Sequence, residues 1–112
     1  MPVVTLENLI TRDGDACIWC GRELWRRDLT AEHILPRARS GRGVPENLAV
    51  ACRRCNKHRR TKSVAAYVRA KRSAGAEPRL DLLTAALARL SQSNSSAHAE
   101  YGQRQLALLD RL

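Results

Sequence analysis

The chain has 112 residues, four of them cysteine, no phenylalanine and a formal net charge of +9. That length suits one small domain whose core alone is marginal, so a metal or disulfide staple is expected. No apolar run approaches the roughly 20 residues of a membrane span, and the opening MPVVTLENLI lacks the basic and apolar regions of a secretory signal.

On that reading the chain is expected in the cytoplasm. Thiols stay reduced there, so metal binding is the better account of the cysteines. The charge is concentrated. Residues 21–72 carry 15 Lys and Arg against 4 Asp and Glu, whereas the remainder carries 5 against 7. A basic block of that kind is the footprint of a polyanion partner.

In chain order, Thr5 to Arg12 carries apolar residues at 6, 9 and 10 and predicts a short helix, stopped by Asp13-Gly14. Cys17 to Gly21 (CIWCG) reads as a cysteine knuckle. Leu24 to Leu35 contains extended structure ended by Pro36, and Ser40 to Pro45 is a turn-rich loop. Leu48 to Ala51 is a short strand leading into a second knuckle. After Cys55 the pattern turns helical, with Val64, Tyr67 and Val68 on one face. Gly75 to Pro78 breaks it. Leu80, Leu83, Leu87 and Leu90 predict a further helix, and SQSNSS forms a polar joint. Ala97 to Leu112 predicts a last helix through Tyr101, Gln105, Leu108 and Leu112. The leucine stripes read as packing or oligomer surface rather than a cofactor site. The expected division is a zinc-stapled domain over 1–72 and a helical extension over 73–112.

The cysteines form two C-x2-C pairs, Cys17/Cys20 and Cys52/Cys55, separated by 31 residues. Two such pairs offer four thiolates to one tetrahedral zinc, a closed site that stabilises a fold and leaves no position for substrate. Redox-active thiol pairs are the competing account. A redox C-x2-C usually comes singly beside a βαβ pattern, which is absent here. Any chemistry then belongs to the residues between and beside the knuckles.

Those residues are Glu32-His33 in AEHILP, Asn47 in PENLAV, and Asn56 directly after Cys55. Singly they are weak signals: a surface histidine, a turn-forming asparagine. Together, C-I-W-C-G, E-H-I-L-P-R, G-R-G-V-P-E-N-L and C-R-R-C-N resemble the HNH endonuclease family, the ββα-metal nucleases. The resemblance is greatest to members with a four-cysteine zinc site, phage junction-resolving nucleases among them. It covers about Arg12 to Lys62.

The resemblance implies an α+β fold: a small, treble-clef-like ββα-metal domain with a short N-terminal helix and a helical C-terminal extension. The hairpin would run from about Thr30 to Val50 and its helix would begin near Cys55-Asn56. The implied activity is metal-dependent hydrolysis of DNA phosphodiester bonds, as nicks or double-strand cuts, leaving a 5′-phosphate and a 3′-hydroxyl. His33 matches the general base. Glu32 and Asn56 match the ligands of a catalytic Mg2+ or Mn2+, and Asn47 matches the residue that bonds across the hairpin and holds the histidine strand bent. Arg37, Arg39, Arg59, Arg60 and Lys62 are expected on flanking phosphates. Some family members place a third ligand where this chain has Arg60, which cannot bind a cation. His58 falls on the wrong side of a helix to replace it and is read as a surface residue; His98 receives no role. Glu32 and His33 are adjacent, so a regular strand would send them to opposite faces. A shared site therefore demands a bend. The alternative function is a non-catalytic zinc module that binds nucleic acid. The C-terminal helices are candidates for pairing two copies or docking onto a larger phage or restriction complex.

Overall fold

The computed structural model describes residues 5–112. Helix α1 (Leu6–Asp13) starts at Thr5, whose side chain accepts from the Asn8 amide while Asn8 reaches back to the Thr5 amide. This reciprocal cap satisfies donors that a helix start leaves unpaired. Gly14, at φ 91°, ends it in a conformation that L side chains rarely adopt.

Two strands, β1 (Leu29–His33) and β2 (Leu48–Cys52), pair antiparallel with Leu29 opposite Cys52 and His33 opposite Leu48. This is the expected hairpin. Its alternation sorts the side chains. Leu29, Leu48 and Val50 meet Leu9 of α1 in one small cluster. Ala49 and Ala51 join Trp19, Ile34 and the helices in the larger core.

Helix α2 (Arg53–Arg59) begins inside the second knuckle, two residues before the expected start, because the Cys52 sulfur caps it by accepting from the Cys55 amide. The helical stretch after Cys55 is also not continuous. Arg60 turns to φ 54°, and the chain restarts as α3 (Val64–Ser73) with Ser63 as its cap. Val64, Tyr67 and Val68 are buried together as their spacing predicts.

Helix α4 (Leu80–Ser91) buries Leu83, Leu87 and Leu90 in the same core as Trp19 and Tyr67. Helix α5 (Ser96–Leu109) packs against α4, where a Cβ added at Gly102 would lie 2.6 Å from the Leu87 carbonyl oxygen. The expected stripe of α5 is corrected at its C-terminal end. Leu108 is exposed and Leu112 lies beyond the helix, also exposed. The buried positions are His98, Gly102 and Gln105, with Tyr101 half-buried against the core. The architecture is a small α+β fold with a two-stranded sheet, five α-helices and clustered cysteines among the described residues. No helix of the described residues is long and apolar enough to cross a membrane.

Candidate active site

The two knuckles meet. The Sγ atoms of Cys17, Cys20, Cys52 and Cys55 all lie within 4.8 Å of one another, and none is paired in a disulfide. Four sulfurs around one zinc at ~2.3 Å would stand ~3.8 Å apart, so the cluster fits that ion with little adjustment. Cys17 holds the Cys55 thiol well below its ordinary range, with Cys52 and Lys71 adding to this, while Cys55 raises Cys17 and burial raises Cys52. A bound zinc ion would draw all four to thiolates. The first knuckle is closed by Gly21 N–H on the Cys17 carbonyl at 2.9 Å. Gly21 sits at φ 76°, and a Cβ there would meet the Glu77 carbonyl oxygen at 2.2 Å, so both the turn and the neighbouring loop require glycine. The Ile18 amide donates to Val50, which joins this knuckle to β2.

The loop end of the hairpin carries the histidine, opposite Leu48. β1 keeps a one-to-one register through His33, with no bulge. The bend comes after it, at Ile34 to Pro36, and Asn47 holds that bend. Asn47 is fully buried. Its Oδ1 accepts from the Leu35 amide at 2.8 Å, and its Nδ2 donates to the carbonyls of Leu35 and Arg42 at 3.1 and 2.9 Å. Asn47 therefore bonds across the hairpin as its motif position implied, but the distortion begins one residue past His33. The loop that Asn47 gathers passes beside the imidazole: a Cβ built on Gly43 would lie 3.6 Å from His33 Nε2. His33 is half-buried. Burial, then the charges of Arg37 and Arg59, hold its pKa below the ordinary value.

Glu32 projects to the other face of β1, into the large core, and is only 5 % exposed. Its Oε2 accepts from Trp19 Nε1 at 2.9 Å, and its Oε1 stands 3.7 Å from the Arg59 guanidinium. Burial raises the Glu32 pKa, against the pull of Arg59 and Trp19. Arg59 is 1 % exposed. Its nitrogens donate to the carbonyls of His33 and Ile34, each at 2.6 Å, and to the Lys62 carbonyl at 2.9 Å. The guanidinium also lies 4.7 Å from the centre of the Trp19 ring, which in turn packs edge-on against Tyr67. This corrects the assignment of Arg59 to flanking phosphates: it is an internal cation that fastens the end of β1 to α2. Arg37, Arg39, Arg60 and Lys62 are exposed, as phosphate contacts would need to be, and so is His58.

Asn56 sits on the first turn of α2 beside the second knuckle, half-buried, with Nδ2 3.4 Å from the Ala31 carbonyl. Glu32 and Asn56 supply the donor types that a hard divalent ion prefers. As placed, they do not form an open cation site. One Glu32 oxygen is held by Trp19 and the other faces Arg59. The cysteine cluster is the sole group of three or more His, Cys, Asp or Glu ligands among the described residues.

Sequence reasoning missed what several residues around the site do. Trp19 and Arg59 hold Glu32. From α5, Tyr101 Oη accepts from the Val64 amide at 3.0 Å and from Arg59 at 3.2 Å, and Gln105 accepts from the Ala65 amide at 2.9 Å. His98 is fully buried, with Nε2 3.1 Å from the Arg42 amide and Nδ1 3.1 Å from Glu46. Their i, i+3, i+7 spacing was the available signal, since it is a helix face of polar residues.

Comparison with curated proteins gave no match. A family model described as HNH endonuclease matches residues 17–71, a span that holds both knuckles, the hairpin, α2 and most of α3. Over that span, about half of its length, the chain belongs to the HNH endonuclease family.

Proposed function

We propose that the chain is a DNA endonuclease that hydrolyses phosphodiester bonds, with His33 as general base. The observation that carries this reading is the placement of His33. It lies at the loop end of the hairpin, beside the loop that Asn47 gathers, with exposed Arg37 and Arg39 in the same loop. A neutral imidazole there takes a proton from water as the water oxygen attacks phosphorus, and the bond to the 3′ oxygen breaks. Arg37, Arg39, Arg60 and Lys62 hold the flanking phosphates, contacts that position a duplex without reading its sequence. Asn47 fixes the backbone that carries His33, and Arg59 ties the same strand end to α2. Zinc on the four cysteines completes the fold and takes no part in the reaction.

A catalytic Mg2+ or Mn2+ on Glu32 and Asn56, as the resemblance implies, would require Glu32 to leave both Trp19 and Arg59 and to reach the His33 face of β1, so these residues do not fit the ion as placed.

The test is nicking of supercoiled plasmid by zinc-loaded protein, with magnesium, with manganese and with EDTA. His33→Ala is expected to lower the rate by about 10²–10⁴-fold, the usual share of a general base. Cleavage that survives in His33→Ala overturns the assignment of the base. Cleavage that survives in EDTA overturns metal dependence.

One observation favours a second reading. A carboxylate amid basic residues argues for a bound metal ion, but here Arg59 already supplies Glu32 with a cation. A zinc-stapled module that binds nucleic acid without cutting it is consistent with that pairing. Wild type that shifts the plasmid in a gel but never nicks it, in either metal, would establish this alternative.

A further inference from the structure

We infer that His98, on the C-terminal helix and outside the span matched by the family model, is a positioning residue for His33. The inference rests on the nuclease reading above, and it names a part of that site which the motif does not contain. His98 is 0 % exposed, and both ring nitrogens are used. Nε2 lies 3.1 Å from the Arg42 amide nitrogen, a group that can only donate, so Nε2 carries no proton. The proton of the neutral ring is then on Nδ1, which donates to Glu46 Oε2 at 3.1 Å. The Ser93 hydroxyl and His98 together keep the Glu46 carboxyl below its usual range.

What this chain holds is the loop beside the base. The Arg42 amide is tied to α5 through His98, and the Arg42 carbonyl accepts from Asn47 Nδ2 at 2.9 Å. Asn47 also grips both backbone groups of Leu35, two residues past His33. The next loop residue, Gly43, is the one whose added Cβ would lie 3.6 Å from His33 Nε2. With the N–H and the C=O of Arg42 both fastened, two successive peptide units are held and the loop has little freedom at the imidazole. Glu46 and Asn47 belong to one turn, so His98 fastens the residue beside Asn47 as well. The C-terminal helix therefore completes the setting of the base: it supplies no reacting group, and it fixes the wall against which His33 stands.

The experiment uses the full zinc-loaded chain and compares His98→Gln with His98→Leu. Glutamine offers an oxygen to the Arg42 amide and an N–H to Glu46, whereas leucine offers neither. Three quantities are read: hydrogen exchange of the Arg42 amide, the NMR signals of the His33 ring, and the nicking rate. In His98→Leu the Arg42 amide is expected to exchange roughly 10- to 100-fold faster, as loss of one buried hydrogen bond implies. The His33 ring signals are expected to move and nicking to fall by at least about 10-fold. His98→Gln is expected to restore all three.

Glu46→Ala, at a partly exposed position, is the second variant if His98→Leu does not fold. It removes the partner that orients the ring and is expected to move the same signals in the same direction. An unchanged Arg42 amide, or unmoved His33 signals, in a folded variant overturns the inference. Equal loss of nicking in the glutamine and leucine variants also overturns it, since His98 would then act only by filling space. If wild type does not nick at all, exchange and ring signals still decide the positioning claim, and the nuclease reading alone fails.

Discussion

His33 and Glu32 are neighbours in sequence and belong to different environments. The imidazole stands at the hairpin end, and burial with Arg37 and Arg59 lowers its pKa. A base must be unprotonated, so kcat/KM should rise with pH and level off, with a midpoint below 6.5. A midpoint above that value in the pH–rate profile would contradict the assignment. Glu32 is buried against Arg59, and burial pushes each of them toward its neutral form: the carboxyl pKa up, the guanidinium pKa down. Such a pair contributes little net stability, but removing one partner strands the other. Glu32→Gln keeps the shape and can still accept from Trp19, yet it leaves the Arg59 charge without a counter-ion. Urea unfolding should show a loss of about 3–5 kcal/mol. The motif made the residue types at 32, 33, 47 and 56 legible. It could not reveal the partner of Glu32, because Trp19 and Arg59 come from segments 13 and 27 residues away.

At the scale of elements, α5 was read correctly as a helix and incorrectly in part of its inner face. The expected stripe ran through Tyr101, Gln105, Leu108 and Leu112; the face that docks keeps Tyr101 and Gln105, adds His98 and drops the two leucines. Each of these three bonds to backbone outside α5: Arg42, Val64 and Ala65. Amides 64 and 65 lie in the first turn of α3, where a helix has no internal partners for its N–H groups. Polar side chains are therefore the right material for that interface; helical spacing put Tyr101 and Gln105 on the inner face and left His98 out. Gly102 sets how closely α5 approaches α4. Gly102→Ala would put a methyl group 2.6 Å from the Leu87 carbonyl oxygen and from the Ser91 amide nitrogen. Overpacking of that kind costs about 1–3 kcal/mol, measurable as a lower thermal midpoint.

For the whole molecule, the cysteine cluster and the C-terminal helices share one core. Cys17, Trp19, Tyr67, Leu83, Leu87 and Leu90 lie in a single buried cluster. Stripping zinc with a strong chelator should abolish cooperative unfolding followed by circular dichroism, and zinc alone, without magnesium, should restore it. A cut after residue 72 removes Leu83, Leu87 and Leu90 from against Trp19. The shortened chain, even with zinc, should unfold without cooperativity; a sharp transition would mean that the nuclease module stands alone.

The sequence by itself determined most of the helices and the two knuckles through spacing along the chain (period, caps, turn residues and paired thiols), and pointed to the hairpin and the family through the resemblance of its motifs. Tertiary structure decided the rest. It directed Arg59 inward, set Glu32 and His33 on opposite faces of an undistorted strand, and brought His98 to a loop 56 residues away. Those outcomes depend on which buried donor finds which acceptor. A buried polar group must be satisfied by whatever the fold brings within reach, and reach is a property of three dimensions.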